Sequence, residues 1–281
     1  FLSSVGSYSV KKQILLLTMS NNKIAELSPS TAIFLKDVSL SYRLPSDAIR
    51  TFKEYMIRLV QGRIKHNYFW ALKKVNLEIN KGEIFGILGR NGAGKSTLLK
   101  VISKVLIPIE GRVWVKGYIS PLLQLGAGFH PELTGRENIY LNATLLGHSR
   151  SEIDSKLEEI IGFAEIGTFI DAPLRTYSSG MNARLGFAVA SAWQPDILIL
   201  DEVLSVGDAA FQEKSFNRMT HFRDSGATVL LVSHSIDKVR ELCQRALWLD
   251  KGEVQMIGPV DAVCDAYSQA LSLRRAERSK S

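Results

Sequence analysis

The run Gly89-Arg90-Asn91-Gly92-Ala93-Gly94-Lys95-Ser96 fits glycine, four free positions, then Gly-Lys-Ser, with Thr97 following. Small residues at Gly89, Gly92, Ala93 and Gly94 let successive backbone N–H groups converge on phosphate oxygens. A helix leaving such a loop adds the partial positive charge of its N-terminus. Lys95 is then expected on the β- and γ-phosphates of a nucleoside triphosphate, and the Ser96 hydroxyl on Mg²⁺. A metal there also needs a carboxylate at the end of a neighbouring strand. Ile197-Leu198-Ile199-Leu200-Asp201-Glu202 supplies it: four apolar residues to bury a strand, then Asp201 to hold the metal through water. Glu202, one residue on, can orient and polarise an attacking water. Taken alone, an apolar strand ending in Asp-Glu is commonly a plain strand end. Together with the glycine loop it describes phosphoanhydride hydrolysis.

Both motifs must hang from strands, and the hydrophobic pattern provides them. An apolar strand over 84–88 runs into the loop, and a helix over 97–105 leaves it. Further strands are expected over 75–79, 113–115, 119–123, 197–200 and 228–232, with residues 133–194 mostly helical. Near-continuous apolar strands interleaved with helices predict a parallel sheet covered on both faces. Residues 246–249 and 253–257, joined by Asp250-Lys251-Gly252, read as an edge hairpin. Ile33, Leu35, Val38 and Leu40 mark a first strand or strand pair, with order starting near Ala32. Between them, residues 46–61 carry Ala48, Ile49, Phe52, Tyr55, Met56, Leu59 and Val60 at helical spacing, with Arg50, Lys53, Glu54 and Arg58 opposite. This predicts an amphipathic helix with a basic polar face. Residues 1–18 precede Met19 and are expected to lie outside the fold.

Composition narrows the remaining classes. The 281 residues are 46% hydrophobic and 22% charged, which excludes collagen-like and wholly disordered chains. Apolar runs are far shorter than the roughly 20 residues that span a bilayer as a helix. Two cysteines, Cys243 and Cys264, are too few for a disulfide framework. The net charge of +7 lacks the arginine-rich runs or aromatic platforms of nucleic-acid binding, so no nucleic-acid partner is expected.

Between the two motifs stands Tyr177-Ser178-Ser179-Gly180-Met181, followed by a helix expected over 182–192. Here the chain resembles the ATP-binding cassette (ABC) ATPases, whose Leu-Ser-Gly-Gly-Gln signature lies just upstream of the Asp-Glu strand. Tyr177 stands for the leucine, Ser179 for the first glycine and Met181 for the glutamine, while Ser178 and Gly180 are retained. The resemblance implies a P-loop α/β fold with a mostly parallel core sheet, an antiparallel β edge region and a helical subdomain. It places Gln124 as the lid glutamine that senses magnesium and water. Asp208, in Ser205-Val206-Gly207-Asp208, is the aspartate that crosses a dimer interface, and His234 the switch histidine on the γ-phosphate. Adenine is expected to stack on Tyr42, with Phe69 or Trp70 as alternatives. The implied boundaries are an N-terminal extension over 1–30, an ATPase domain over 31–258, and a C-terminal helix and basic tail over 259–281. Within the domain, 45–69 is an amphipathic insertion and about 130–195 the helical subdomain.

The block from Leu122 through Gln124, Gly126, Phe129 and His130 to Asn138 is similar to ATPase subunits of bacterial polysaccharide exporters. This resemblance implies a head-to-tail homodimer around two ATP molecules, with Ser178 and Gly180 of one copy on the nucleotide of the other. It implies two copies of a separate multi-spanning permease, docked around 126–133, and a place on the cytoplasmic face of the membrane. An ABC ATPase with other cargo and a soluble ABC ATPase remain the alternatives.

Overall fold

A computed structural model describes residues 28–45, 66–121, 126, 128–200, 207–233 and 235–278. Residues 28–31 make a single turn, with the Thr31 N–H donating to the Ser28 carbonyl at 2.9 Å. The unit beginning at Ala32 contains two sheets and the helices around them.

Strands β1 (Thr31–Pro45), β2 (His66–Asn80) and β4 (Glu110–Val115) form one sheet in the order β2-β1-β4. β1 and β4 are antiparallel, with a bulge between Lys36 and Ser39. Asp37 sits there at φ 51°, its N–H held by Asn76 Oδ1 at 2.9 Å. β2, which neighbours β1 in this sheet, is three times the expected length. The stretch between these two strands is therefore 46–65 rather than 45–69. The amphipathic pattern at 46–61 lies outside the described residues, as do residues 1–18.

The second sheet runs β5-β6-β7-β3-β8-β9, with β3 (Ile84–Leu88), β5 (Ile119–Pro121), β6 (Ile197–Leu200), β7 (Thr228–Val232), β8 (Arg245–Asp250) and β9 (Glu253–Pro259). The pairs β5–β6, β6–β7, β7–β3 and β3–β8 are parallel, and β8–β9 is the antiparallel edge hairpin. Strand alternation splits each apolar run between two cores. Ile197, Ile199, Leu230 and Val232 pack with β1, β2 and the helix that follows the glycine loop. Leu198, Leu200, Val229 and Leu231 face the helical side. Both sets are buried, which is why these strands read as unbroken apolar runs.

The helices are α1 (Lys95–Ile102), α2 (Gly135–Leu145), α3 (Arg150–Ala164), α4 (Ser179–Ala190), α5 (Ala209–Asp224), α6 (Ile236–Leu242) and α7 (Val260–Arg278). α1 starts at Lys95 and not at Thr97, and it stops before Lys104, whose φ of 59° breaks the helical path ahead of Val105. α4 starts three residues earlier than expected, because Ser178 caps it and the cap fixes the first turn. α2 and α3 each begin with a reciprocal capping box, Thr134/Glu137 and Ser149/Glu152.

Candidate nucleotide site

Residues 89–96 join β3 to α1. Gly89 (φ 156°) and Gly94 (φ 107°) are held against carbonyl groups, for a Cβ would lie 2.4 Å from Leu249 O at the first and 2.5 Å from Ala71 O at the second. Gly252 N–H donates to the Ala93 carbonyl at 2.9 Å, so the β8–β9 turn braces the loop from behind. Gly92 and Asn91 are exposed, and a Cβ on Gly92 would meet none of the described residues within 4 Å. Lys95 is buried at 7% exposure, its Nζ donating to the carbonyls of Gly89 at 2.5 Å and Arg90 at 3.1 Å.

The N-terminus of α1 has Gly94 at its cap, no side-chain cap and no acidic residue in its first turn. Its orphan N–H groups therefore suit an anion, with the lysine charge beside them. The donor set fits a polyphosphate. Ser96 is exposed on the first turn of α1, where a hydroxyl can meet a metal accompanying that phosphate. Thr97 is half-buried, and its Oγ1 lies 3.5 Å from the hydroxyl of Tyr42, which brings β1 against the helix. Tyr42 is 38% exposed, Phe69 51% and Trp70 39%, so all three retain ring surface for a base.

Gln124, Asp201, Glu202 and His234 lie outside the described residues. The strands that lead to them are described. Register pairs Pro121 with Ile199, Leu200 with Leu231, and Ile87 with Val232. The C-terminal ends of β5, β6, β7 and β3 thus share one edge of the sheet, and β3 feeds the glycine loop there.

Ser178 is exposed, and its Oγ accepts from Met181 N–H at 3.1 Å. Tyr177 turns inward, its hydroxyl donating to the Phe169 carbonyl at 2.5 Å, which seats the start of α4 on the helical region. Among the described residues, a Cβ on Gly180 would meet only Ser178 Oγ, at 3.7 Å. Packing against the described residues therefore gives no reason for glycine there. Asp208 is exposed and caps α5, with Oδ1 accepting from Phe211 N–H at 3.0 Å.

Two contributors escaped the sequence pattern. Asn138 is fully buried; its Oδ1 accepts from His130 N–H at 2.7 Å, and its Nδ2 donates to the carbonyls of His130, Leu133 and Thr134. It moulds the loop ahead of α2. Arg184 donates to Asp208 Oδ2 at 2.5 Å. Neither pairing has a sequence-local signal.

The pattern of the family described as "ABC transporter" matches residues 72–205. The chain is 47% identical over 209 residues to the O-antigen export system ATP-binding protein RfbB of Klebsiella pneumoniae, covering 74% of this chain and 85% of that one. It is 46% identical over 251 residues to the RfbB of Myxococcus xanthus, covering 88% of this chain and 57% of that protein's length. Among solved structures, the dimeric post-hydrolysis state of the ATP-binding cassette MJ0796 bound to ADP and Pi has a TM-score of 0.62 at 26% identity, covering 81% of this chain and 98% of that one. With nearly half its aligned residues shared over most of both chains, the protein belongs to the ABC transporter family, as one of its ATP-binding, ATP-hydrolysing cassettes.

Proposed function

We propose that this cassette is the motor of an exporter that moves a cell-surface polysaccharide through a separate membrane permease. The identity to the Klebsiella pneumoniae O-antigen export protein, 47% over 85% of that protein, carries this reading. The similarity extends to teichoic acid export ATP-binding proteins, at 40% identity to TagH of Enterococcus faecalis over 86% of this chain. The common feature of those names is a long surface glycan. Among the described residues no helix is long and apolar enough to cross a membrane. The separate permease is inferred from the export function named for the relatives. The working position is the cytoplasmic face of the membrane, with 126–133 facing the permease.

Two copies act head to tail. Lys95 and the N–H groups of Asn91–Thr97 hold the phosphates, with Gly89, Gly92, Ala93 and Gly94 keeping the loop open to them. Tyr42 stacks on adenine. Ser178, Gly180 and Asp208 serve the nucleotide of the other copy, which accounts for a glycine at 180 that packing against the described residues does not require. Ser96, Gln124 and Asp201 hold Mg²⁺, which when bound neutralises charge between the β- and γ-phosphates. Glu202 takes the proton from the attacking water, and His234 contacts the γ-phosphate.

Glu202→Gln tests the dimer and the catalytic assignment together. It is expected to bind ATP, to lose nearly all hydrolysis, and to run at twice the monomer mass in light scattering only with Mg-ATP. Wild-type turnover in that variant removes Glu202 from its role. Export is tested by deleting the gene in its own host, where loss of surface glycan is expected and an intact glycan coat excludes this cargo.

A further inference from the structure

Rings of Phe163, Phe187 and Phe211 meet where α3, α4 and α5 converge, with centroids 5.8, 5.7 and 6.0 Å apart. Arg184 of α4 lies over this cluster, its guanidinium 5.0 Å from the Phe211 ring centre and its side chain only 19% exposed. Nη2 donates to Asp208 Oδ2 at 2.5 Å, and Nη1 lies 3.8 Å from Glu165 Oε2 at the end of α3. Glu165 is also held by Lys214 Nζ at 2.5 Å.

The two oxygens of Asp208 thus have different duties. Oδ1 caps α5 through Phe211 N–H, and Oδ2 grips α4 through Arg184. Arg184 stands six residues beyond Ser178 on the same helix, about 9 Å along its axis. A planar guanidinium wedged between a ring face and two carboxylates has few alternative orientations.

We propose that Arg184 is a positioning residue for ATP hydrolysis. It ties the helix that opens at Ser178 to Asp208 at the start of α5, so that Ser178 and Asp208 meet the nucleotide of a second copy as one piece. This rests on the head-to-tail reading above. Neither segment needs Arg184 for its local shape, since Ser178 has Met181 N–H and Asp208 has Phe211 N–H. Arg184 makes no described contact with the phosphate loop. Loss of the tie should therefore slow turnover and leave nucleotide affinity alone.

The test uses Arg184→Gln, Arg184→Lys, Asp208→Asn and the double variant Arg184→Gln/Asp208→Asn of the full chain. Asparagine at 208 keeps an acceptor for the cap and removes the charge. Steady-state ATP hydrolysis, affinity for a fluorescent ATP analogue and thermal melting are read for each. Arg184→Gln is expected to lower kcat about ten-fold or more with affinity within about two-fold, and Arg184→Lys to recover part of the loss. The double variant is expected to be no slower than the slower single one, because both remove the same link. The proposal is overturned if Arg184→Gln keeps kcat within about two-fold of wild type. It is equally overturned if kcat, affinity and melting fall together and the two losses multiply, which marks a purely structural side chain. Should Arg184→Gln not fold, Arg184→Lys decides by the same split between kcat and affinity. Wild-type protein that hydrolyses no ATP would sink the underlying reading instead, and the control reveals this before any variant is compared.

Discussion

Lys95 Nζ donates to the Gly89 carbonyl oxygen at 2.5 Å, so the charge of the loop's last turn is bonded to the loop's first residue. This contact holds the ammonium inside the curve of the backbone, where the N–H groups of α1 also point. A phosphate entering the loop meets a charge that is already in place.

Removing that charge should be felt mainly in binding. Lys95→Ala deletes a charge-assisted contact to phosphate, of the kind worth about 1.5–3 kcal/mol, and is expected to weaken ATP affinity about 10- to 100-fold. Titration with a fluorescent ATP analogue reads this directly. Unchanged affinity would take Lys95 out of the phosphate contacts.

The glycines of the loop should separate by the kind of damage they suffer. A Cβ at Gly94 would come within 2.5 Å of the Ala71 carbonyl, at a φ of 107°. Gly94→Ala is therefore expected to destabilise the fold by about 2–4 kcal/mol, since a backbone carbonyl cannot step aside as a flexible side chain can. Gly92→Ala meets open space among the described residues, and there its φ of 78° is what opposes it. That should cost about 1–2 kcal/mol of stability, with loss of nucleotide affinity because Gly92 lies on the exposed face of the loop. Thermal melting and nucleotide titration of the pair separate the two effects. A Gly94→Ala protein that melts with wild type would contradict the close approach to Ala71.

Acid should loosen the joint around His148. Its ring stacks on Trp193 with centroids 3.7 Å apart, and its Nε2 lies 3.1 Å from the Tyr118 hydroxyl. Burial holds the histidine below its usual 6.5 against the opposing pull of Glu152, and burial pushes Tyr118 up to about 12, so the phenol stays protonated. A base whose folded pKa is depressed takes up protons more readily when unfolded. Its contribution to stability is full above pH 6.5 and is lost as pH falls through the lower folded value. Melting temperature should drop from pH 7.5 to about 5 more steeply in wild type than in His148→Gln. Parallel slopes in the two proteins would show that His148 does not supply the pH dependence.

Much of the nucleotide site is legible because it is local. The glycine pattern, the lysine that opens a helix and the apolar strands on either side all act within a few residues of one another. β3, β6 and β7 have the extents their apolar runs suggest. The helix starts were less legible, because they are decided by caps. Ser178 draws the first turn of α4 back to Ser179, and Gly94 lets α1 begin at Lys95. β2 was underestimated for a different reason. Its outer half, from His66, alternates weakly, and the strand lies beside β1 in the sheet, where pairing can outweigh pattern.

By itself, the amino-acid sequence determined the fold class, the phosphate loop and the order of the motifs, since backbone freedom at glycine and period-two burial are properties of neighbouring residues. Only the tertiary structure decided how distant segments restrain one another. The Asn138 bonds that shape the loop from His130 to Thr134 depend on its burial, and the grip of Arg184 on Asp208 spans 24 positions. Such pairings follow from how helices pack on a sheet and on each other. The bulky rings of Phe163, Phe187 and Phe211 set that packing, and with it the place where the charges meet.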